Sequence, residues 1–279
     1  MRLAFTKMHA CGNDFIVIDD RDARLAGRES ALAAALCHRR KAIGADGLLL
    51  LRGGPQPGQF GMVFVNADGL VGEMCGNGAR CLAAYIRRSG LAGERLTLLT
   101  GAGAVPVEFA GQDIVLHLPP ASPIARTETI EWAGQAWRFD ALDVGPPHVV
   151  CFVPSPAALA EVPVLALGRH VRHHPAFAPR GCNVNFVARA RDRLLLRTYE
   201  RGVEDETLGC GTGATAAALV AHHRWGTLAP VTVQTHSGEC LTIDFPPALT
   251  ALTLRGRAHF VSTGEIDPGL LTARDGVAP

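Results

Sequence analysis

Two stretches of the chain, MCGNGARC from Met74 and GCGTGATA from Gly209, set a cysteine before a glycine, a short polar residue, a second glycine and a run of helix formers. In that pattern Cys75 and Cys210 precede the first turn of a helix. The glycines at 76, 78, 211 and 213 clear side chains from where backbone N–H groups point outward, so an anion can sit there. A single copy reads equally well as a plain helix start, with Asn77 or Thr212 capping the backbone. Two copies about half the chain apart carry more. The thiolate is the reactive form of cysteine, and a helix N-terminus can lower a thiol from a reference pKa near 8.5 to roughly 3.5–7.5. Drawing a proton from the α-carbon of an amino acid needs more than a thiolate: the developing negative charge must be stabilised, and N–H donors aimed from two helices provide that. If one cysteine takes a proton as thiolate and the other returns one as thiol to the opposite face, a stereocentre inverts. The pair then shares one proton in its active form.

The elements that must position these cysteines are mostly short strands, such as FIVIDD, MVFVNA, RLTLLTG, NVNFVARA and RLLLRTYE, separated by Gly, Pro, Asp and Asn as turns require. Helices are expected over RESALAAALCHRRKA, ARCLAAYIRRSG and ATAAALVAHHRWG. The last two end in basic residues followed by Gly90 and Gly226, as helices stop. Their bodies, CLAAYI and TAAALVA, are apolar around the circumference, which predicts helices enclosed by sheet. An internal duplication follows. Residues 1–119 form an N-terminal half with the Cys75 motif and 120–262 a C-terminal half with the Cys210 motif, divided at the prolines of HLPPASPIART. The tail, 263–279, is expected to pack back on the first half. The fold class is α+β, with two pseudo-symmetric domains, each a curved mixed sheet or barrel around a central apolar helix. The active site is expected in the cleft between them.

With 279 residues, 48% of them hydrophobic, the chain is long enough for two cores. Its formal net charge is +1 and its arginines are scattered, which gives nucleic-acid binding no support. No segment approaches the roughly 18–20 apolar residues of a membrane span, and MRLAFTKMHACGNDF lacks a signal-peptide core, so a cytoplasmic protein is expected. The eight cysteines have no Cys-x-x-Cys spacing and no histidines at finger spacing, so neither a disulfide scaffold nor a metal is expected. GCGTGA and GAGAV lack the Gly-x-Gly-x-x-Gly spacing of a dinucleotide site, and Lys7 and Lys41 are the only lysines to hold pyridoxal. No cofactor is expected.

The ordered set MHACGNDF, RKAIGADGLLL, NADGLVGEMCGNGARC, GPPHVV, GCNVNF, YERGVEDET and CGTGATAAA resembles the diaminopimelate epimerase family over nearly the whole chain. The resemblance implies pyridoxal-independent interconversion of LL- and meso-diaminopimelate, a step toward lysine and cell-wall precursor, with Cys75 and Cys210 as the two acid/base groups. It also implies that Asn13, Asn66 and Asn183 present amides to the amino-acid substrate, that His148 tunes a cysteine, and that Arg201 clamps a carboxylate. Glu200 is expected to hold an ammonium group or orient a thiol, while Gly76, Asn77, Gly211 and Thr212 supply the helix-end donors. Taken alone, each asparagine is an ordinary turn residue, His148 a structural histidine and the Glu200–Arg201 pair a solvated one. The resemblance allows a homodimer; the sequence does not set the oligomeric state.

Two departures stand out. The family's usual GNPH is GPPH here, so Pro146 lacks a side-chain amide, and ERGVEDET is one residue longer than the common ERGVGET, so the loop after Arg201 is expected to bulge. Both bear on substrate choice more than on reaction type. A racemase of another amino acid on the same fold remains open, as do a Cys-His acyl transferase or hydrolase using His148 and a non-catalytic amino-acid binding protein. The last two leave the second cysteine motif without a purpose.

Overall fold

The runs Phe15–Ile18 and Leu48–Leu51 have no polar side, and strands of that composition need cover on both faces. They have it. In the computed structural model, which describes residues 3–267, every residue of both runs is buried. Ile16, Ile18, Leu48 and Leu50 pack with Leu32, Ala33 and Leu36 of helix α1 (Glu29–Leu36). The alternate face carries Leu49, which lies against helix α2 (Gly76–Arg88) at Gly78.

Contacts divide the chain into two units, one running to Leu116 and resuming from Arg257, the other spanning His117–Gly256. In the first unit the sheet runs His259–Ile266, Leu3–Ala10, Asn13–Asp19, Gly47–Gly53, Gln59–Asn66, Arg95–Thr100, Gly103–Ala110 and Asp113–Leu118. Neighbours are antiparallel except for the third with the fourth and the fifth with the sixth, which are parallel. In the second unit the sheet runs Arg126–Trp132, Gln135–Asp143, Pro147–Val153, Asn183–Arg189, Leu194–Glu200, Val231–Gln234, Cys240–Asp244 and Leu252–Gly256. The third with the fourth and the fifth with the sixth are again the parallel pairs. A short strand flanks the fifth in each, Val71–Gly72 in one and Asp205–Thr207 in the other. The duplication expected from the two cysteine motifs is thus a match of strand order and sense throughout the two units.

Parallel neighbours need a crossover connection, commonly a helix. Helix α2 makes the connection between the fifth and sixth strands of the first unit, and the helix Gly211–Trp225 makes it in the second. Between the third and fourth strands of the second unit, where the first has α1, lie α3 (Pro156–Ala160) and α4 (Val164–Arg172), which makes Gly211–Trp225 α5. The sequence reading has no helix at α3 or α4. Two short helices separated by Pro163 offer little propensity, yet Val164, Leu167, Gly168 and Val171 are buried at helical spacing and join a core with Phe139, Phe186 and Tyr199. Gly168 permits the approach, since a Cβ there would come within 2.5 Å of the Tyr199 Cβ.

Helix α5 is buried at nearly every position from Gly211 to Ala221, as its apolar circumference requires, and Gly226 ends it in a left-handed conformation, φ 64°. In the first unit His259–Ile266 pairs with Leu3–Ala10. Of the expected tail, residues 268–279 lie outside the described residues. Among the described residues no helix is long and apolar enough to cross a membrane.

Candidate active site

Both motif cysteines are themselves the N-cap residues of their helices. Cys75 and Cys210 are extended (φ −134° and −113°), and each sulfur accepts from the backbone N–H three residues on, Gly78 at 3.5 Å and Gly213 at 3.3 Å. A sulfur here occupies the place usually held by a Ser, Thr, Asp or Asn oxygen, next to the positive end of the helix dipole. Neither Asn77 nor Thr212 is the cap.

In the first unit Cys75 is half-buried, and its thiol donates to Asn13 Oδ1 at 3.6 Å. The same oxygen accepts from Asn77 Nδ2 at 3.3 Å. Asn13 is held in turn by Asp46 Oδ2, which accepts from Asn13 Nδ2 at 2.9 Å. Asn77 is oriented from below by Arg80, whose Nη2 donates to Asn77 Oδ1 at 2.6 Å and whose Nη1 donates to the Gly76 carbonyl at 3.2 Å. Arg80 is fully buried. Next to Asp46 lies Asp14; burial pushes its carboxyl up, but bonds from Arg39 and Lys7 prevail and hold it well below the usual carboxylate range. The side chain of Asn66, the strand partner of Gly47, donates to the Leu70 carbonyl within its own turn.

In the second unit Cys210 is buried, with Thr212 Oγ1 at 3.5 Å from its sulfur. His148 Nε2 lies 2.9 Å from that same hydroxyl, and Asn183 Nδ2 is 3.5 Å from Nε2. Asn183 also donates to the Pro147 carbonyl and accepts from the backbone N–H of Arg201 at 2.9 Å, tying the strand to the turn that carries Arg201. Glu200 Oε2 accepts from Thr207 Oγ1 at 2.9 Å. Pro146 offers a carbonyl to the Val144 N–H and no amide.

The loop after Arg201 opens on a tight hairpin turn. Leu194–Glu200 and Asp205–Thr207 pair in unbroken register, and Arg201–Glu204 closes the hairpin with Glu204 N–H donating to the Glu200 carbonyl at 2.8 Å. Glu204 then accepts from Tyr199 Oη and Arg172 Nε, which pins the turn to α4.

Burial pushes the His148 imidazole down to about 3, and the charge of Arg201 adds to the shift. The unfolded chain takes up this proton as pH falls through 6.5, the folded chain only near 3. Burying His148 therefore leaves stability untouched above the upper value and draws it down between the two. In urea titrations the parent is expected to lose more stability between about pH 7 and about pH 5 than His148→Gln does. The slopes should differ by up to about 1.4 kcal/mol per pH unit below the upper value. Equal slopes would show a solvated ring.

Sequence reasoning missed Arg80, Asp46, Asn185 and Thr207, which hold Asn77, Asn13, His148 and Glu200. Two signals were present. Arg80 is a charge inside an otherwise apolar helix, three residues after Asn77, and Asn185 is two residues after Asn183 on one strand, hence on the same face. Among the described residues no group of three or more His, Cys, Asp or Glu is placed to hold a metal ion.

A sequence model of the diaminopimelate epimerase family matches residues 5–118 and 141–261. The chain belongs to that family. It is 38% identical to the diaminopimelate epimerase of Aquifex aeolicus over 96% of this chain and 99% of the relative. It is 40% identical to that of Chlorobaculum tepidum over 93% and 99%. The fold is also that of a hydroxyproline epimerase from Agrobacterium vitis, with a TM-score of 0.68 at 16% identity over 95% of this chain and 92% of that one.

Proposed function

We propose that the protein interconverts LL- and meso-diaminopimelate by two-base proton transfer, with Cys75 and Cys210 each serving one face of the α-carbon. The observation that carries this is the repetition: a cysteine caps the crossover helix at the same place in two units of one strand topology, within a chain of this family. The N–H groups of Gly76 and Asn77, and of Gly211 and Thr212, lie in the first turns of α2 and α5. They stabilise the carboxylate and the charge that develops beside it. Asn13, Asn66 and Asn183 hold the amino acid, and Glu200 and Arg201 take the groups of its distal end. The reaction needs no cofactor and serves lysine and cell-wall precursor synthesis in the cytoplasm.

A Cys-His hydrolase would need the imidazole on the sulfur. His148 instead stands one hydroxyl behind Cys210, bonded to Thr212. The test is to incubate the purified protein with LL-diaminopimelate and resolve the product by chiral chromatography. Appearance of the meso isomer without added pyridoxal supports the reading, and turnover of proline or another amino acid in its place overturns it.

Arg201 has its backbone fixed by Asn183 and its Nη1 donates to the Arg180 carbonyl at 3.3 Å, which leaves the rest of the planar fork for a carboxylate. Arg201→Lys keeps the charge and loses the fork, so KM for diaminopimelate is expected to rise about tenfold or more with less effect on kcat. A kcat/KM within about twofold of the parent would remove Arg201 from the site.

A further inference from the structure

Beneath the first turn of α5 a chain of buried polar groups has a single direction. Asn185 is wholly buried; its Nδ2 donates to the Val149 carbonyl at 3.0 Å and lies 3.1 Å from His148 Nδ1, while its Oδ1 accepts from Thr198 Oγ1 at 2.9 Å. An amide turned the other way would set oxygen against the Val149 carbonyl oxygen, so the nitrogen must face the ring. With one N–H on Val149 and the other on the imidazole, His148 Nδ1 accepts. A neutral imidazole carries one proton, which is then on Nε2, directed at Thr212 Oγ1 at 2.9 Å rather than at the Asn183 amide nitrogen, which lies farther off at 3.5 Å and already donates to the Pro147 carbonyl at 3.2 Å. A hydroxyl that accepts from Nε2 is free to direct its own proton elsewhere, and Cys210 Sγ is 3.5 Å away.

We infer that Asn185 is a positioning residue that fixes His148 as the Nε2–H tautomer and, through the Thr212 hydroxyl, aims a hydrogen-bond donor at Cys210. The inference rests on the reading of Cys210 as a proton-transfer group. Together with the Gly213 N–H, the hydroxyl gives the sulfur two donors, which favours its thiolate form. At Cys75 the thiol donates to the Asn13 carbonyl oxygen and accepts from the Gly78 N–H. Asn185 is also locked against the helix itself, because a Cβ on Gly213 would fall 2.4 Å from Asn185 Oδ1. The amide cannot swing out of line while α5 keeps its place.

The first test needs no variant. Nitrogen NMR of the histidine rings, with the His148 signals assigned by their loss in His148→Gln, distinguishes the tautomers. A proton on Nε2 in the parent is the expected result, and one on Nδ1 overturns the inference. Asn185→Asp places an acceptor beside Nδ1, which moves the proton to Nδ1 and leaves Nε2 to accept from Thr212. Alkylation of Cys210 by iodoacetamide near pH 7, followed by peptide mapping, is then expected to slow about tenfold, the weight of one hydrogen bond to a charged group. Alkylation of Cys75 should keep its parental rate. Thr212→Val is expected to slow Cys210 to the same degree, and adding Asn185→Asp to it should bring no further change. Independent, additive effects, or an unchanged Cys210 rate in Asn185→Asp, would overturn the relay. None of these readouts requires turnover. Failure of the parent to epimerise diaminopimelate would sink the proposed function and leave the tautomer measurement to decide the relay.

Discussion

Cys75→Ala and Cys210→Ala are each expected to bring inversion of diaminopimelate nearly to a stop, with a loss of about 10²–10⁴-fold for removal of one proton-transfer group. The parent in heavy water should place deuterium at the inverted carbon of the product while recovered substrate stays largely unlabelled at early times, because the delivering thiol exchanges with solvent before it acts. A single-base enzyme behaves otherwise: one cysteine is dispensable, and the original proton often returns on the opposite face. Inversion retained in both variants would end the two-base reading. The other cysteines give the contrast that makes this test sharp. Cys37, Cys151 and Cys182 are buried, and burial pushes their thiols up to about 12, so at neutral pH they stay protonated and inert. Their replacement is expected to alter stability and leave the reaction alone. What separates Cys75 and Cys210 from them is their place as the N-cap of a helix, with an N–H of its first turn on each sulfur.

The cysteine pair was legible because its signal is local. A sulfur followed by glycine, a polar residue and glycine ahead of an apolar helix says where the chain turns, which N–H groups face out and which residue sits among them, all within a few positions. The duplication was legible for the same reason, since CLAAYI and TAAALVA each demand a sheet around them. What holds the site residues in place was not local. Asp46 reaches Asn13 from the far end of a crossover, and Thr207 reaches Glu200 only because the turn at Arg201–Glu204 closes a hairpin. Helices α3 and α4 were hidden differently: Pro163 interrupts them, and their stability comes from Phe186 and Tyr199 rather than from propensity. The loop expected to bulge after Arg201 carries its added residue ahead of Cys210. Glu204 closes its first turn by adopting φ 58° and taking bonds from Tyr199 and Arg172, which no reading of the loop sequence alone reveals.

The two glycines that follow the motif cysteines look alike in sequence and are expected to respond very differently to a methyl group. A Cβ on Gly78 would meet Leu49 Cδ2 at 3.1 Å and Met62 Cε at 3.3 Å, both ends of flexible apolar side chains. Those atoms need only give by a few tenths of an ångström, so Gly78→Ala should fold with a small loss of stability and retain much of its activity. A Cβ on Gly213 would meet Asn185 Oδ1 at 2.4 Å, and that oxygen cannot yield, because the amide is fastened to Val149, His148 and Thr198. The helix must move instead. Overpacking of this kind costs about 1–3 kcal/mol of stability. The larger consequence is chemical: lifting the first turn of α5 draws the Gly213 N–H and the Thr212 hydroxyl off Cys210, and misplacing a reacting group by about an ångström can cost about 10²-fold in rate. Gly213→Ala is therefore expected to lose about 10²-fold or more in kcat while remaining folded by circular dichroism, with Gly78→Ala within about tenfold of the parent. Equal losses in the two variants would mean that the first turns of α2 and α5 are supported alike, and the rigid polar footing assigned to Cys210 would have no kinetic consequence.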